Sequence, residues 1–303
     1  MNYYLITCYI LFFMMNIVFN VNNLGLEGLG ATLVSLTKNC SNSKKLKIWF
    51  LCSDFKLEDK LNISKLLEEA NFSGLTEFID FDAKMIFGHL KPLHGDWTTY
   101  GRLLIADYIS SDRALYLDAD LLINLDILEL DKIDLNESIL AAVTAATVEF
   151  ALECSFFINK LKWPSGTPYF NAGVIIFNLK KWRTENYDQK WKNIAAENPE
   201  DLISHDQTLL NALCEGEFIK LPLNFNNAWF AKSEKPVDAD HSIIHFIGSP
   251  KPWDYFGKII HKGYAAWATY NTSFWEKNYG KISKEKIIRT WKIRRSIVKQ
   301  LAN

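Results

Sequence analysis

From Asn16 onward, apolar runs of strand length alternate with stretches of helical spacing. NIVFNV (Asn16 to Val21) precedes an amphipathic stretch around Leu29 to Leu36. KIWFLCS (Lys47 to Ser53) follows, then a helical stretch with apolar positions at Leu57, Leu61, Leu66 and Leu67. TEFIDFD (Thr76 to Asp82), a helical pattern near Thr98 to Ile109, and RALYLDAD (Arg113 to Asp120) complete the series. Regular β-α alternation predicts an α/β fold in which helices cover both faces of a single mixed, mostly parallel sheet. Later strands are predicted at ILAAVTA (Ile139 to Ala145), AGVIIFN (Ala172 to Asn178), EFIKLP (Glu217 to Pro222) and SIIHFIG (Ser242 to Gly248). There is no internal repeat and no linker rich in Pro, Gly or Ser, so one domain over 15–260 with a helical tail over 261–303 is expected.

A net charge of −1 excludes a global attraction to nucleic acid or to an anionic membrane, leaving only local ones. Cys8, Cys40, Cys52, Cys154 and Cys214 are odd in number and lack CxxC spacing, which predicts reduced thiols in a cytoplasmic protein. Ten Trp fit either stacking surfaces or a bulky core. The first residues, MNYYLITCYILFFMM, are strongly apolar, yet no Lys or Arg precedes Lys38. Asn16 and Asn20 interrupt the run before the roughly 20 residues that span a bilayer. The leader 1–14 is therefore expected to lie outside the fold, with a start at Met14 or Met15; a cleaved or anchoring segment is the alternative.

Asp118-Ala119-Asp120 closes the run that begins near Ala114. Residues two apart on a strand share a face, so both carboxylates are expected to converge. Two like charges about 4 Å apart repel by about 4 kcal/mol at an effective dielectric of 20. A divalent cation removes that cost, and oxygen ligands suit Mn²⁺ or Mg²⁺. The carboxyl ends of α/β strands are also where such folds bind ligands. Alone, the triplet reads better as a solvated turn than as a metal site.

Its surroundings are more specific. TTYGRLLIADYISSDRALYLDADLLINLDILEL, which contains the triplet, resembles the donor-binding segment of glycosyltransferase family 8, which includes bacterial lipopolysaccharide galactosyl- and glucosyltransferases and glycogenin. YFNAGVIIFNLKKWR (Tyr169 to Arg183), HDQTLLN (His205 to Asn211) and IIHFIGSPKPW (Ile243 to Trp253) fit the same family in order. The resemblance spans about Asn16 to Trp253 and implies a Rossmann-like GT-A fold. It implies metal-dependent transfer of glucose or galactose, with retention, from a UDP-sugar to a saccharide or lipid-linked saccharide acceptor in cell-surface glycan or lipopolysaccharide synthesis.

The resemblance also implies roles for matching residues. Asp118, Asp120 and His245 would hold Mn²⁺, with Mg²⁺ as the second choice, against the donor's phosphates. Gln207 and Asp206 would stand beside the anomeric carbon, with Gln207 acting electrostatically because a neutral amide is a poor nucleophile. Arg102, Ala119, Asn171, Ala172, Gly248 and Lys251 would contact the donor. Asn22 and Asn23 stand where the family usually carries an aspartate for the base; an amide oxygen still accepts, but the charge is lost. Each residue also has a purely structural reading. His245 is then a core histidine, Arg102 an exposed helix arginine and Asn171 a turn residue, while Ser204-His205-Asp206-Gln207 forms a capping box.

Two rival activities are a haloacid-dehalogenase-type phosphatase and a catalytically silent nucleotide-sugar-binding protein. Leu122 occupies the position where the phosphatase motif carries Thr or Val. The tail is locally basic: Lys286, Arg289, Lys292, Arg294, Arg295 and Lys299 occur without an acidic residue among them. On a helix Ile287, Trp291, Val298 and Leu301 share a flank, which fits either a closing helix packed on the domain or a peripheral helix on the anionic inner face of the cytoplasmic membrane.

Overall fold

In a computed structural model that describes residues 14–302, Ile17, Val18 and Phe19 have no exposure, so both faces of strand β1 (Met15–Asn22) are covered. Parallel to β1 lie β2 (Leu46–Ser53) on one side and β4 (Arg113–Leu117) on the other, and β3 (Leu75–Asp80) extends β2 in parallel. Beyond β4 the direction reverses. β7 (Pro168–Asn178) runs antiparallel to β4 and to β6 (Leu140–Thr147), and β8 (Ile219–Lys220) pairs in parallel with β6. The order is β3-β2-β1-β4-β7-β6-β8, the expected mixed, mostly parallel sheet. The leader reading concerns residues that, apart from Met14, lie outside the described ones.

The expectation of one sheet needs correction. β5 (Leu121–Ile123), β10 (Ile243–Phe246) and β9 (Asn227–Trp229) form a second sheet in the order β5-β10-β9. The chain turns out of β4 through Asp118, Ala119 and Asp120 directly into β5, and β10 pairs antiparallel to β5 with His245 opposite Leu121. A three-residue strand carries too little periodicity to read, yet this one decides where His245 lies.

The helix Leu26–Asn39 buries Leu26, Leu29, Leu33 and Leu36, which recur at helical spacing. At Gly30 a Cβ would lie 2.2 Å from the Trp275 ring, and Trp275 Nε1 donates to the Leu26 carbonyl at 2.8 Å. In the helix Leu57–Glu69, Ile63, Leu66 and Leu67 face the core, whereas Leu57 and Leu61 are exposed. Leu61 is two residues, about 200° of helical rotation, from Ile63 and cannot share its face.

The tail is two short helices, Lys284–Lys292 and Arg294–Ala302. Ile293 and Ile297 are buried with Ala231 and Ile260. Ile287, Trp291, Val298 and Leu301 are all more than half exposed, so the apolar flank read from sequence faces outward. Among the described residues, no helix is long and apolar enough to cross a membrane, and Cys40, Cys52, Cys154 and Cys214 are free.

Candidate active site

β4 ends at Leu117, so Asp118 and Asp120 lie in the turn after it rather than on one strand face. They converge because both sheets hold that turn. Asp118 N donates to the Gly173 carbonyl at 2.8 Å, and Phe246 N donates to the Asp120 carbonyl at 3.1 Å. His245, 5% exposed, is thereby delivered between the two carboxylates. A Cβ at Gly173 would lie 2.3 Å from the His245 ring, so only glycine lets β7 pass there.

Each carboxylate commits one oxygen to the protein and turns the other to the centre. Asp118 Oδ1 accepts from Tyr116 Oη at 2.6 Å and Arg102 Nη2 at 3.1 Å, while its Oδ2 lies 3.7 Å from His245 Nε2. Asp120 Oδ2 meets Lys251 Nζ at 2.6 Å, and its Oδ1 lies 3.2 Å from His245 Nε2. One ligand atom from each of Asp118, Asp120 and His245 falls within a 4.8 Å cluster. Burial opposes ionisation of Asp120, but Lys251 and His245 outweigh it and hold its carboxyl far below the usual range.

His245 Nδ1 lies 2.9 Å from Asn226 Oδ1, and Asn226 Nδ2 donates to Asn171 Oδ1 at 2.9 Å. That orientation of Asn226 places an imidazole proton on Nδ1 and turns Nε2 toward the carboxylates. Asp120 Oδ1 is moreover a buried oxygen without a hydrogen-bond partner. A divalent cation held between the two carboxylates and the imidazole would satisfy that oxygen. This donor set fits a divalent ion.

The centre borders a cavity of about 510 Å³. Asn22, Arg102, Asp118, Ala119, Asp120 and Lys251 line it, as does Asn20, which sequence reasoning missed. Asn22 Oδ1 also caps a short helical turn by accepting from Gly25 N at 3.0 Å. Asn23 and Gly248 are exposed and do not line the cavity, although Gly248 adopts the expected glycine conformation, φ +81°. The tail helix closes one side with Glu285, Ile288, Arg289 and Lys292. Arg289 grips Asp254 at 2.5 and 2.9 Å, and Asp254 also accepts from Lys251 N at 2.6 Å. No local signal in the tail points to this contact, because its partners lie over thirty residues away.

Asp206 is 2% exposed and meets Arg102 Nε at 2.8 Å instead of open space. Arg102 is not an exposed helix residue: it is 7% exposed, stacks on Tyr116 and donates to the Ala172 carbonyl at 2.5 Å. Burial disfavours the charged guanidinium, but Asp206, Tyr116 and Asp118 reverse this and raise its pKa. The expected capping box does not form. His205 is the N-cap of the helix Asp206–Cys214, with φ 56° and no side-chain cap, and Ser204 Oγ donates to Glu153. The Gln207 side chain reaches instead to Ala172 N at 2.9 Å, Asn171 Nδ2 at 3.2 Å and Tyr169 Oη at 2.8 Å. Asn171 and Ala172 are thus bonded to Gln207, and Asn171 through Asn226 to His245. None of Asn171, Ala172, Gln207, Asp206 and His245 lines the cavity.

Residues 4–257 match the glycosyl transferase family 8. The lipopolysaccharide 1,3-galactosyltransferase of Salmonella typhimurium is 31% identical over 259 residues, covering 80% of this chain and 74% of that relative. General stress protein A of Bacillus subtilis is 28% identical over 246 residues, covering 75% of this chain and 82% of its own. Among solved structures, the galactosyltransferase LgtC in complex with donor and acceptor sugar analogues superposes with TM-score 0.68 at 23% identity, covering 89% of this chain and 98% of LgtC. A fold shared with LgtC, the GT-A fold, and a match over most of the chain converge with the geometry of the site: the chain belongs to glycosyl transferase family 8 and is a glycosyltransferase.

Proposed function

We propose that this enzyme transfers glucose or galactose, with retention at the anomeric carbon, from a UDP-sugar to a saccharide or lipid-linked saccharide acceptor in cell-surface glycan or lipopolysaccharide synthesis. The carrying observation is the convergence of Asp118 Oδ2, Asp120 Oδ1 and His245 Nε2 at the cavity wall, with Lys251 beside them. These three residues would hold Mn²⁺, which when bound supplies positive charge against the departing nucleotide diphosphate. Lys251 adds fixed positive charge on the same side. Arg102 holds Asp118 in place and keeps Asp206 paired, so Asp206 positions the site. Gln207 presents a fixed amide dipole to the sugar as positive charge develops on its ring. The LgtC complex with donor and acceptor analogues and the named activity of the Salmonella relative support this choice of substrates.

A screen of UDP-hexoses for hydrolysis by the chelated protein, with and without Mn²⁺, tests the reading. Turnover is expected only with metal, and equal turnover without it would sink the reading. The same screen separates an enzyme from a silent binder, and phosphomonoester hydrolysis would favour the phosphatase alternative. Gln207→Ala is expected to lower kcat by ~10²-fold with little change in donor KM, as for a group acting on the transition state. A variant with an unchanged kcat and only a lower melting temperature would reduce Gln207 to a structural residue.

The catalytic domain is proposed as residues 15–260, with 261–303 as a tail that also walls the cavity. Trp291 and Val298 face outward, as do Arg294, Arg295 and Lys299, and Arg294 stacks on Trp291. This surface is proposed to rest on an anionic leaflet at the cytoplasmic face, where each basic residue adds about 1 kcal/mol. Sedimentation with anionic but not neutral vesicles, lost in high salt, is the expected result. Trp291→Ser/Val298→Ser should weaken it without changing hydrolysis of a soluble donor. Equal sedimentation by that double variant would refute the contact.

A further inference from the structure

Three hydroxyls meet the Glu153 carboxyl, and a line of side chains runs from there to His245. Glu153 is 1% exposed, and among the described residues it has no cationic partner within ion-pair distance. It accepts from three hydroxyls instead: Tyr169 Oη at 2.6 Å and Thr208 Oγ1 at 2.9 Å on Oε1, and Ser204 Oγ at 2.9 Å on Oε2. Tyr169 has one hydroxyl proton. Once it is given to Glu153, the phenol oxygen faces Gln207 as an acceptor, and Gln207 Nε2 donates to it at 2.8 Å.

The Gln207 amide is then turned so that Oε1 accepts from Ala172 N and from Asn171 Nδ2. Asn171 Oδ1 accepts from Gly173 N at 2.9 Å and from Asn226 Nδ2 at 2.9 Å, and Asn226 Oδ1 receives His245 Nδ1. Five consecutive bonds link His245, Asn226, Asn171, Gln207, Tyr169 and Glu153, and every donor points toward Glu153. Reversing one amide would set donor against donor or acceptor against acceptor at both of its ends, a costly fault away from water. The backbone amides of Ala172 and Gly173 reinforce the same direction in the middle of the line.

We infer that Glu153, Tyr169 and Asn226 are positioning residues for glycosyl transfer. Glu153 and Tyr169 fix which end of the Gln207 amide faces the site, Asn226 fixes the His245 ring with Nε2 toward the carboxylates, and Asn171 joins the two arms. These roles presuppose that Gln207 faces the transferred sugar and that His245 is a metal ligand.

The test uses the full chain, the UDP-hexose that turns over, and calorimetric titration of Mn²⁺ into donor-free protein. Tyr169→Phe keeps the ring but removes the acceptor for Gln207. It is expected to lower kcat by about 10–100-fold with donor KM and Mn²⁺ affinity within about twofold of wild type. Asn226→Leu is expected to weaken Mn²⁺ binding itself by about 10–100-fold. If Tyr169→Phe fails to melt cooperatively, Glu153→Gln, which keeps the shape but brings a donor into the hydroxyl cluster, is expected to lower kcat in the same direction. Wild-type kcat in these Tyr169 or Glu153 variants, while Gln207→Ala is impaired, overturns the Gln207 arm. Wild-type Mn²⁺ affinity in Asn226→Leu overturns the His245 arm. An unimpaired Gln207→Ala instead overturns the functional reading of Gln207 and its arm with it, while the titration still decides the other.

Discussion

Asp120→Ala is expected to lower turnover by on the order of 10³-fold and to leave a cooperatively folded protein. Two observations lead to this. Asp120 supplies the oxygen that lies 3.2 Å from His245 Nε2 and has no hydrogen-bond partner in the protein, so its removal takes away a ligand together with the Lys251 pair. Its other oxygen neutralises Lys251, but Lys251 Nζ also donates to the Phe246 carbonyl, so the lysine stays anchored in the variant. The decisive measurement is calorimetric titration of Mn²⁺ beside UDP-hexose turnover and a melting curve. Loss of binding and turnover in a protein that still melts cooperatively supports the site. Near-wild-type turnover in a chelator would exclude Asp120 from it.

Arg102→Leu should produce the largest loss of stability, about 3–5 kcal/mol, because breaking a buried ion pair leaves its partner charged and unpaired. Arg102 is 7% exposed and meets Asp206 at 2.8 Å and Asp118 at 3.1 Å. Removing it strands two carboxylates. Thr99 Oγ1 still donates to Asp206 and Tyr116 Oη still donates to Asp118, so the loss is softened but not cancelled. Arg102→Lys keeps the charge without the planar fork, and should recover only part of the stability and lose the stacking on Tyr116. Urea denaturation reads both variants directly. A loss below about 1 kcal/mol for Arg102→Leu would show that the pair contributes no more than an exposed one. Mn²⁺ affinity should fall as well, since Tyr116 Oη alone would then hold Asp118 Oδ1.

The sequence by itself determined the class of fold and the carboxylate pair at the centre of the proposed site, because both rest on local signals. Runs such as Ile48 to Cys52 are continuously apolar because helices cover both faces of the strand, and that pattern is visible without knowing any partner. Asp118 and Asp120 are legible for a similar reason: two carboxylates at the end of a central strand already pose the electrostatic problem that a cation solves. The turn that joins them to β5 is not legible, since Leu121, Leu122 and Ile123 form a strand too short to show a period.

Only the tertiary structure decided which side chains meet across distance. Arg102 and Asp206 are 104 residues apart, His245 and Asn226 are 19 apart, and the Arg289 pair with Asp254 spans 35. The string Ser204-His205-Asp206-Gln207 has the composition of a capping box, yet burial against Glu153 and Arg102 gives Ser204 and Asp206 better partners than the helix end. The tail shows the same division: its basic and apolar residues are plain in the sequence, but contacts with Ala231, Ile260 and Asp254 decide that Ile293 and Ile297 turn inward while Trp291 and Val298 turn out. A local pattern states what a segment is able to cover; which surface it covers depends on neighbours that the chain brings from elsewhere.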